Sequence, residues 1–232
     1  MNTINATSNG NLISTKNQVS TTYKPVRQPG GKRKAPHRRI NYLNIPALQD
    51  DLIICESILE RDCALILALN PEVVRIECQP ETISLGECGE YTPDFRVIYK
   101  SGPPSYVEVK PTVFAYEKKM WAKICAAFEY YKSQGIHYEW ISDWEIEKKD
   151  RHLRAAYIHR CARLLIPVEQ SQKIIQAVSN YPQGIRMDDL QAITGLLTDH
   201  ILHCVGLRQL KLNHFFEYSL DSLVFPLKGE CK

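Results

Sequence analysis

Residues 91–111, YTPDFRVIYKSGPPSYVEVKP, constrain the chain more than any other stretch. They read as a β-hairpin with Pro93 and Asp94 on the first strand and Glu108, Val109 and Lys110 on the second. The intervening Lys100-Ser101-Gly102-Pro103-Pro104 has turn composition. Side chains alternate along a strand, so Glu108 and Lys110 share one face while Val107 and Val109 point into a core. A turn centred near Ser101 sets Asp94 opposite Glu108, and two carboxylates and an ammonium then share a face. Carboxylates repel unless a cation lies between them, and Mg²⁺ prefers carboxylate oxygen. A metal-dependent phosphodiester hydrolase needs that arrangement; the plain alternative is an amphipathic hairpin whose solvated face carries Asp, Glu and Lys.

The charge distribution points the same way. The first 49 residues carry eight Lys or Arg and no Asp or Glu, whereas the rest carries 21 basic against 26 acidic residues. The basic cluster is Lys24, Arg27, Lys32, Arg33, Lys34, Arg38 and Arg39, interrupted by Gly30-Gly31 and prolines. Such an arm buries too little apolar surface to fold alone, and it suits DNA phosphates through counterion release. A solvated tail is the alternative. There is no apolar run long enough to span a membrane and no apolar signal-peptide core in MNTINATSNGNL. Eight cysteines are scattered without a C-x-x-C pair, which argues against a zinc cluster and fits a reducing cytosol. No G-x-x-x-x-G-K-[ST] phosphate loop is present.

Along the chain, residues 1–40 read as the flexible basic arm. Residues 50–69 read as a helix stopped by Asn70-Pro71, residues 73–76 as a strand, 82–85 as a short extended piece and 86–90 as a turn. After the hairpin, residues 114–132 read as a second helix and 136–141 as a buried strand. This αβββαβ order matches the core of restriction-endonuclease-like nucleases, so the expected fold is α/β over residues 41–150. Residues 151–167 read as a helix and linker. Residues 168–232 read as three helices (170–179, 187–193, 198–205) followed by a hairpin over 210–227, the order of a mainly helical winged-helix-like domain.

The first helix offers Glu56 and Glu60 one turn apart on one face. A third carboxylate there completes an oxygen site for Mg²⁺. Ser57-x-x-Glu60 is equally a capping-box pattern, in which Glu60 serves only backbone N–H groups; spacing leaves both readings open.

Together these residues resemble the TnsA family, the endonuclease subunits of heteromeric transposases in the PD-(D/E)xK superfamily. The resemblance lies in Glu56-Ser57-Ile58-Leu59-Glu60-Arg61-Asp62, Asn70-Pro71-Glu72-Val73, Gln79-Pro80, Tyr91-Thr92-Pro93-Asp94-Phe95 and Val107-Glu108-Val109-Lys110-Pro111, over residues 50–145. It implies that Glu60 rather than Glu56 is the helical site residue, with Asp94, Glu108 and Lys110 completing the catalytic set. It further implies Mg²⁺, with Mn²⁺ substituting, held by Glu60, Asp94, Glu108 and the Val109 carbonyl. Gln79 matches a family position without a physical role in the sequence. The implied activity is hydrolysis of the 5′ strands of double-stranded DNA at transposon ends. The implied partners are a TnsB-like DDE transposase and a TnsC-like AAA+ ATPase, in the bacterial cytoplasm and at the nucleoid.

The candidate recognition helix, residues 198–206, carries Asp199, His200 and His203 but no Lys or Arg, whereas major-groove readers present Arg, Lys, Asn or Gln. Protein binding, towards the ATPase, is therefore the expected role of the C-terminal unit. Arg208 and Lys211 lie just beyond that helix. Tyr116, Trp121, Phe128, Tyr130 and Tyr131 read as packing rather than base stacking. His152 and His159, beside Arg151, Arg154 and Arg160, read as DNA contacts or as a solvated helix face. Two rivals stand beside the main reading: a stand-alone restriction or repair nuclease of the same core, and a non-catalytic DNA- or protein-binding adaptor.

Overall fold

A computed structural model of the chain describes Pro25 and residues 40–227. The expected arm contacts at Lys24, Arg27, Lys32, Arg33, Lys34, Arg38 and Arg39 lie outside the described residues.

A short antiparallel pair, β1 (Asn41–Leu43) and β2 (Ile53–Cys55), precedes helix α1 (Ile58–Ala68). The helix thus starts later than the sequence suggested. Ser57 is extended (φ −140°, ψ 164°) and its hydroxyl accepts from Glu60 N, so the chain cannot be helical before it, and the β-branched Ile53-Ile54 pair goes into a strand. Strand β3 (Val73–Cys78) follows, then the small antiparallel pair β4 (Ile83–Ser84) and β5 (Glu90–Tyr91). The hairpin is β6 (Phe95–Tyr99) and β7 (Ser105–Val109). Helices α2 (Thr112–Ala115) and α3 (Lys118–Ser133) lead to β8 (His137–Ile141). The single helix expected over 114–132 is broken by extended Glu117 (φ −60°, ψ 129°).

The central sheet has the order β3-β6-β7-β8, antiparallel except for the parallel β7–β8 pair. A mixed α/β fold around this mixed sheet is consistent with a nuclease-like core. Phe95 pairs with Val107 and Val97 with Ser105, which centres the hairpin on Ser101 and, one residue on, puts Asp94 opposite Glu108. Asp94 itself lies just before the first strand rather than on it. One sheet face, with Phe95, Val97, Val107 and Val109, packs on apolar residues of α1. The other, with Tyr106 and Tyr138, packs on Ile124, Ala127 and Tyr131 of α3. Every residue of β7 is therefore buried, and the solvated polar face of the amphipathic-hairpin alternative does not exist. Strand β8, expected to be buried, is a partly exposed edge.

Beyond β8 come α4 (Asp143–Glu147), opened by a capping box between Ser142 and Glu145, and α5 (Arg151–Cys161). The last unit comprises α6 (Val168–Ser179), β9 (Ile185–Arg186), α7 (Met187–Thr194), α8 (Thr198–Gly206), β10 (Leu210–Lys211) and β11 (Leu223–Pro226). Its strands form an antiparallel sheet in the order β10-β11-β9, so the expected hairpin gains a third strand from between the first two helices. The core runs without a break from α1 through Ala155, Ile158 and Cys161 of α5 to Ile201, Leu202 and Val205 of α8. Gly206 permits the α5–α8 approach: a Cβ there would lie 2.7 Å from Ala162 Cβ and 2.7 Å from the Ile158 carbonyl oxygen.

This packing decides several charged residues. His159 is buried and bonds the Leu65 carbonyl at 2.9 Å, so its ring belongs to the core and not to a solvated helix face. His203 is buried and bonds the Cys161 carbonyl, while Asp199 accepts from Tyr157. Arg208 donates to the carbonyls of Asn70, Pro71 and Val73, tying the C-terminal unit to the entrance of β3. The seven described cysteines are all free, and no described helix is long and apolar enough to cross a membrane.

Candidate active site

The fold brings Glu60, Asp94, Glu108 and Lys110 together. Glu60 comes from the first turn of α1. Its Oε2 accepts from Glu56 N at 2.7 Å, while its own N–H goes to Ser57 Oγ at 3.0 Å. It does cap the helix, one residue earlier than a full capping box would, and it also faces the other carboxylates: burial first, then the charge of Asp94, push its carboxyl up to about 7. The two readings of Glu60 left open by spacing are thus compatible.

Asp94 is fixed at both ends. Its carbonyl accepts from Gln79 N at 2.8 Å, and its Oδ2 accepts from Val109 N at 2.8 Å, closing the ladder where β6 begins. Burial and the facing Glu108 carboxylate push its carboxyl up to about 8, against the pull of Lys110 and the Val109 N–H. Glu108 stands on the buried β7 strand. Its Oε2 accepts from Tyr91 Oη at 2.8 Å, and its Oε1 lies 3.4 Å from Lys110 Nζ. Burial raises its carboxyl, opposed by Lys110 and Tyr91. Burial alone would lower Lys110; Glu108 and Asp94 outweigh it, and the ammonium is held above its ordinary range.

Among the described residues these three carboxyls face Lys110, and burial first, then repulsion among the carboxylates, Glu56 included, favours the protonated forms of Asp94 and Glu60. Such a donor set suits a hard divalent cation, which replaces protons on carboxylate oxygen. Among the described residues no three His, Cys, Asp or Glu side chains are arranged as a finished metal cage. Each carboxylate is instead engaged by a protein donor, Glu56 N for Glu60, Val109 N for Asp94 and Tyr91 Oη for Glu108, whose other oxygen faces Lys110. The fit therefore rests on the chemistry of the donors. Val109 enters through its backbone, since its side chain is buried in the core on the opposite sheet face.

The sequence assigned no site role to Tyr91 or Tyr138. Their hydroxyls lie 2.7 Å apart, so Glu108 is approached by a two-tyrosine chain. Tyr138 stacks on Tyr131 (5.5 Å between centroids), which stacks on Tyr106 (4.3 Å). The expected packing role of the aromatic set thus fits buried Tyr131, whereas Tyr116, Trp121 and Phe128 are exposed. Alternation does put Tyr106 with Glu108 and Tyr138 with Trp140, but the register joining these strands, Tyr106 to Tyr138 and Glu108 to Trp140, is set by the parallel pairing. Gln79, without a role in the sequence, acquires one as the backbone donor to Asp94.

A protein-family model described as TnsA-like endonuclease N terminal matches residues 70–143. This span contains Asp94, Glu108 and Lys110, and Glu60 precedes it. No curated protein matches the chain.

Proposed function

We propose that this chain, whose residues 70–143 match the TnsA-like endonuclease N-terminal family, is a Mg²⁺-dependent DNA endonuclease that hydrolyses the 5′ strands at transposon ends as one subunit of a Tn7-type transposase. The observation that carries this reading is the convergence of Glu60, Asp94 and Glu108, buried or half-buried carboxyls that face Lys110 among the described residues. Glu60, Asp94, Glu108 and the Val109 carbonyl are the groups to hold the cation, which supplies Lewis acidity at the phosphate and a water of lowered pKa.

The protein's own groups do the rest. Gln79 and Val109 fix Asp94 from both sides, and Tyr91 orients Glu108. Lys110, held protonated, is unsuited to act as a base; it hydrogen-bonds the attacking water and offsets charge developing on the phosphate.

The C-terminal unit, from residue 168, is read as winged-helix-like and as the dock for a TnsC-like AAA+ ATPase. Its candidate recognition helix is turned into the core, with Ile201 to Gly206 all buried. Apolar side chains stand exposed nearby instead, among them Leu165, Val168, Ile193 and Leu197. A TnsB-like DDE transposase is the partner for the other strand, and the setting is the bacterial cytoplasm at the nucleoid.

The test is strand cleavage of a duplex carrying transposon ends, with Mg²⁺ and both partner proteins. Asp94→Ala is expected to abolish 5′ cleavage while keeping the circular-dichroism spectrum. Cleavage by Asp94→Ala at the wild-type rate would overturn the site.

A further inference from the structure

Immediately after Lys110 the chain presents aromatic rings to solvent. Tyr116 is 64% exposed and Trp121 41% exposed. These two rings and Trp140 form one cluster, with centroids 5.4 Å (Tyr116–Trp121), 5.8 Å (Tyr116–Trp140) and 5.9 Å (Trp121–Trp140) apart.

The cluster is attached to the candidate active site. Trp140 is the parallel partner of Glu108 on the neighbouring strand, so their side chains lie on the same sheet face, about 5 Å apart along the hydrogen-bonding direction. The Trp140 indole N–H donates to the Lys110 carbonyl at 2.9 Å. The short helix α2, which ends at Tyr116, is pinned as well: Asp143 accepts from both the Thr112 N–H (2.9 Å) and its hydroxyl (2.6 Å), while Trp121, on α3, is held by its ring contacts to Tyr116 and Trp140. The rings are therefore a fixed continuation of the surface on which a scissile phosphate would sit.

Charge selects the occupant. Residues 40–227 carry 19 basic against 25 acidic residues, yet residues 110–123 carry four lysines against Glu117 alone. Lys118 and Lys119 are exposed and in no described ion pair. Exposed aromatic faces among unpaired lysines in an otherwise acidic body match a polyanion that also offers flat apolar rings, which is a nucleic-acid strand with unpaired bases.

We propose that Tyr116, Trp121 and Trp140 form a stacking platform for an unpaired base of the DNA strand flanking the phosphate at Lys110. The proposal rests on the nuclease reading of that site and adds a preference for frayed or single-stranded DNA beside the cut.

All three tryptophans of the chain, Trp121, Trp140 and Trp144, lie on residues 121–144, so intrinsic fluorescence reports on this region. The test uses the full chain carrying Asp94→Ala, titrated with a blunt duplex and with the same duplex bearing an unpaired oligothymidylate end. The tailed duplex is expected to quench the tryptophans and to bind more tightly. Adding Tyr116→Ala and Trp121→Ala is expected to weaken tailed-duplex binding about 5- to 150-fold, the range for losing one stacked base. Blunt-duplex binding should stay within about twofold, and Tyr116→Phe with Trp121→Phe should retain the preference. Equal binding of both duplexes before the aromatic changes overturns this proposal alone. Binding of neither also overturns this proposal, while the nuclease reading stands or falls on the cleavage assay with both partner proteins. Unchanged DNA binding by the alanine variants, with lost self-association in sedimentation, assigns the face to a second copy of the chain and overturns the proposal.

Discussion

The Gln79 N–H donates to the Asp94 carbonyl at 2.8 Å, and it does so from a left-handed backbone (φ 48°) that few non-glycine residues adopt. The turn at the end of β3 is thereby aimed at the residue that begins the candidate site. Asparagine tolerates that region and a β-branched residue does not. Gln79→Asn is expected to keep the fold and cleavage, whereas Gln79→Val should lose about 1–2 kcal/mol of stability and cleave more slowly. Urea unfolding and the strand-cleavage assay read the two effects.

The raised carboxyls predict a pH dependence of the metal-free protein. Asp94 is at about 8 against 3.8 for an ordinary carboxyl, and Glu60 at about 7 against 4.5. In that window the folded protein keeps protons that the unfolded chain has released, so stability falls as pH rises towards about 8. The melting temperature in chelator is expected to be lower at about pH 8 than at about pH 6. Mg²⁺ or Asp94→Asn should flatten the difference. A wild-type protein that melts higher at the alkaline end would contradict the assignment.

Tyr91 touches Glu108 and Tyr138 through one hydroxyl. Tyr91→Phe keeps the ring and removes the donor. Loss of such a supporting hydrogen bond should lower Mn²⁺ affinity about 10- to 100-fold and cost about 1 kcal/mol of stability. Calorimetric titration with Mn²⁺ measures the first, and an unchanged affinity would remove Tyr91 from any role at the site.

Gly206 sits where α8 meets α5. Gly206→Ala places a methyl 2.7 Å from both Ala162 Cβ and the Ile158 carbonyl oxygen. Overpacking of this kind should cost about 1–3 kcal/mol, read by urea unfolding, with Ala162→Gly restoring part of the loss.

Much of the fold was legible because its signals are local. The proline-rich turn around Ser101 and the alternation of β7 set a register that pairs Asp94 with Glu108, and Asn70-Pro71 ends α1 as read. What failed was local structure decided by a single residue's conformation: extended Ser57 moved the start of α1, and extended Glu117 split the second helix. Residues 185–186, which the sequence reading left unassigned between two helices, form a strand because β11 offers them an edge. His159 and Arg208 carried surface chemistry in the sequence and became internal ties, since partners distant in sequence, Leu65 and residues 70–73, took their hydrogen bonds.

By itself, then, the sequence determined the hairpin, its register and the convergence of Asp94, Glu108 and Lys110, because strand alternation and turn composition act over a few residues. Only the tertiary structure decided that Glu60 both caps its helix and faces Asp94, that Tyr91 reaches Glu108, and that Trp140 ties exposed rings to Lys110. Those relations depend on which strand pairs with which and on how closely helices approach the sheet. Both are settled by burying apolar surface from across the chain, a collective quantity that no short stretch encodes.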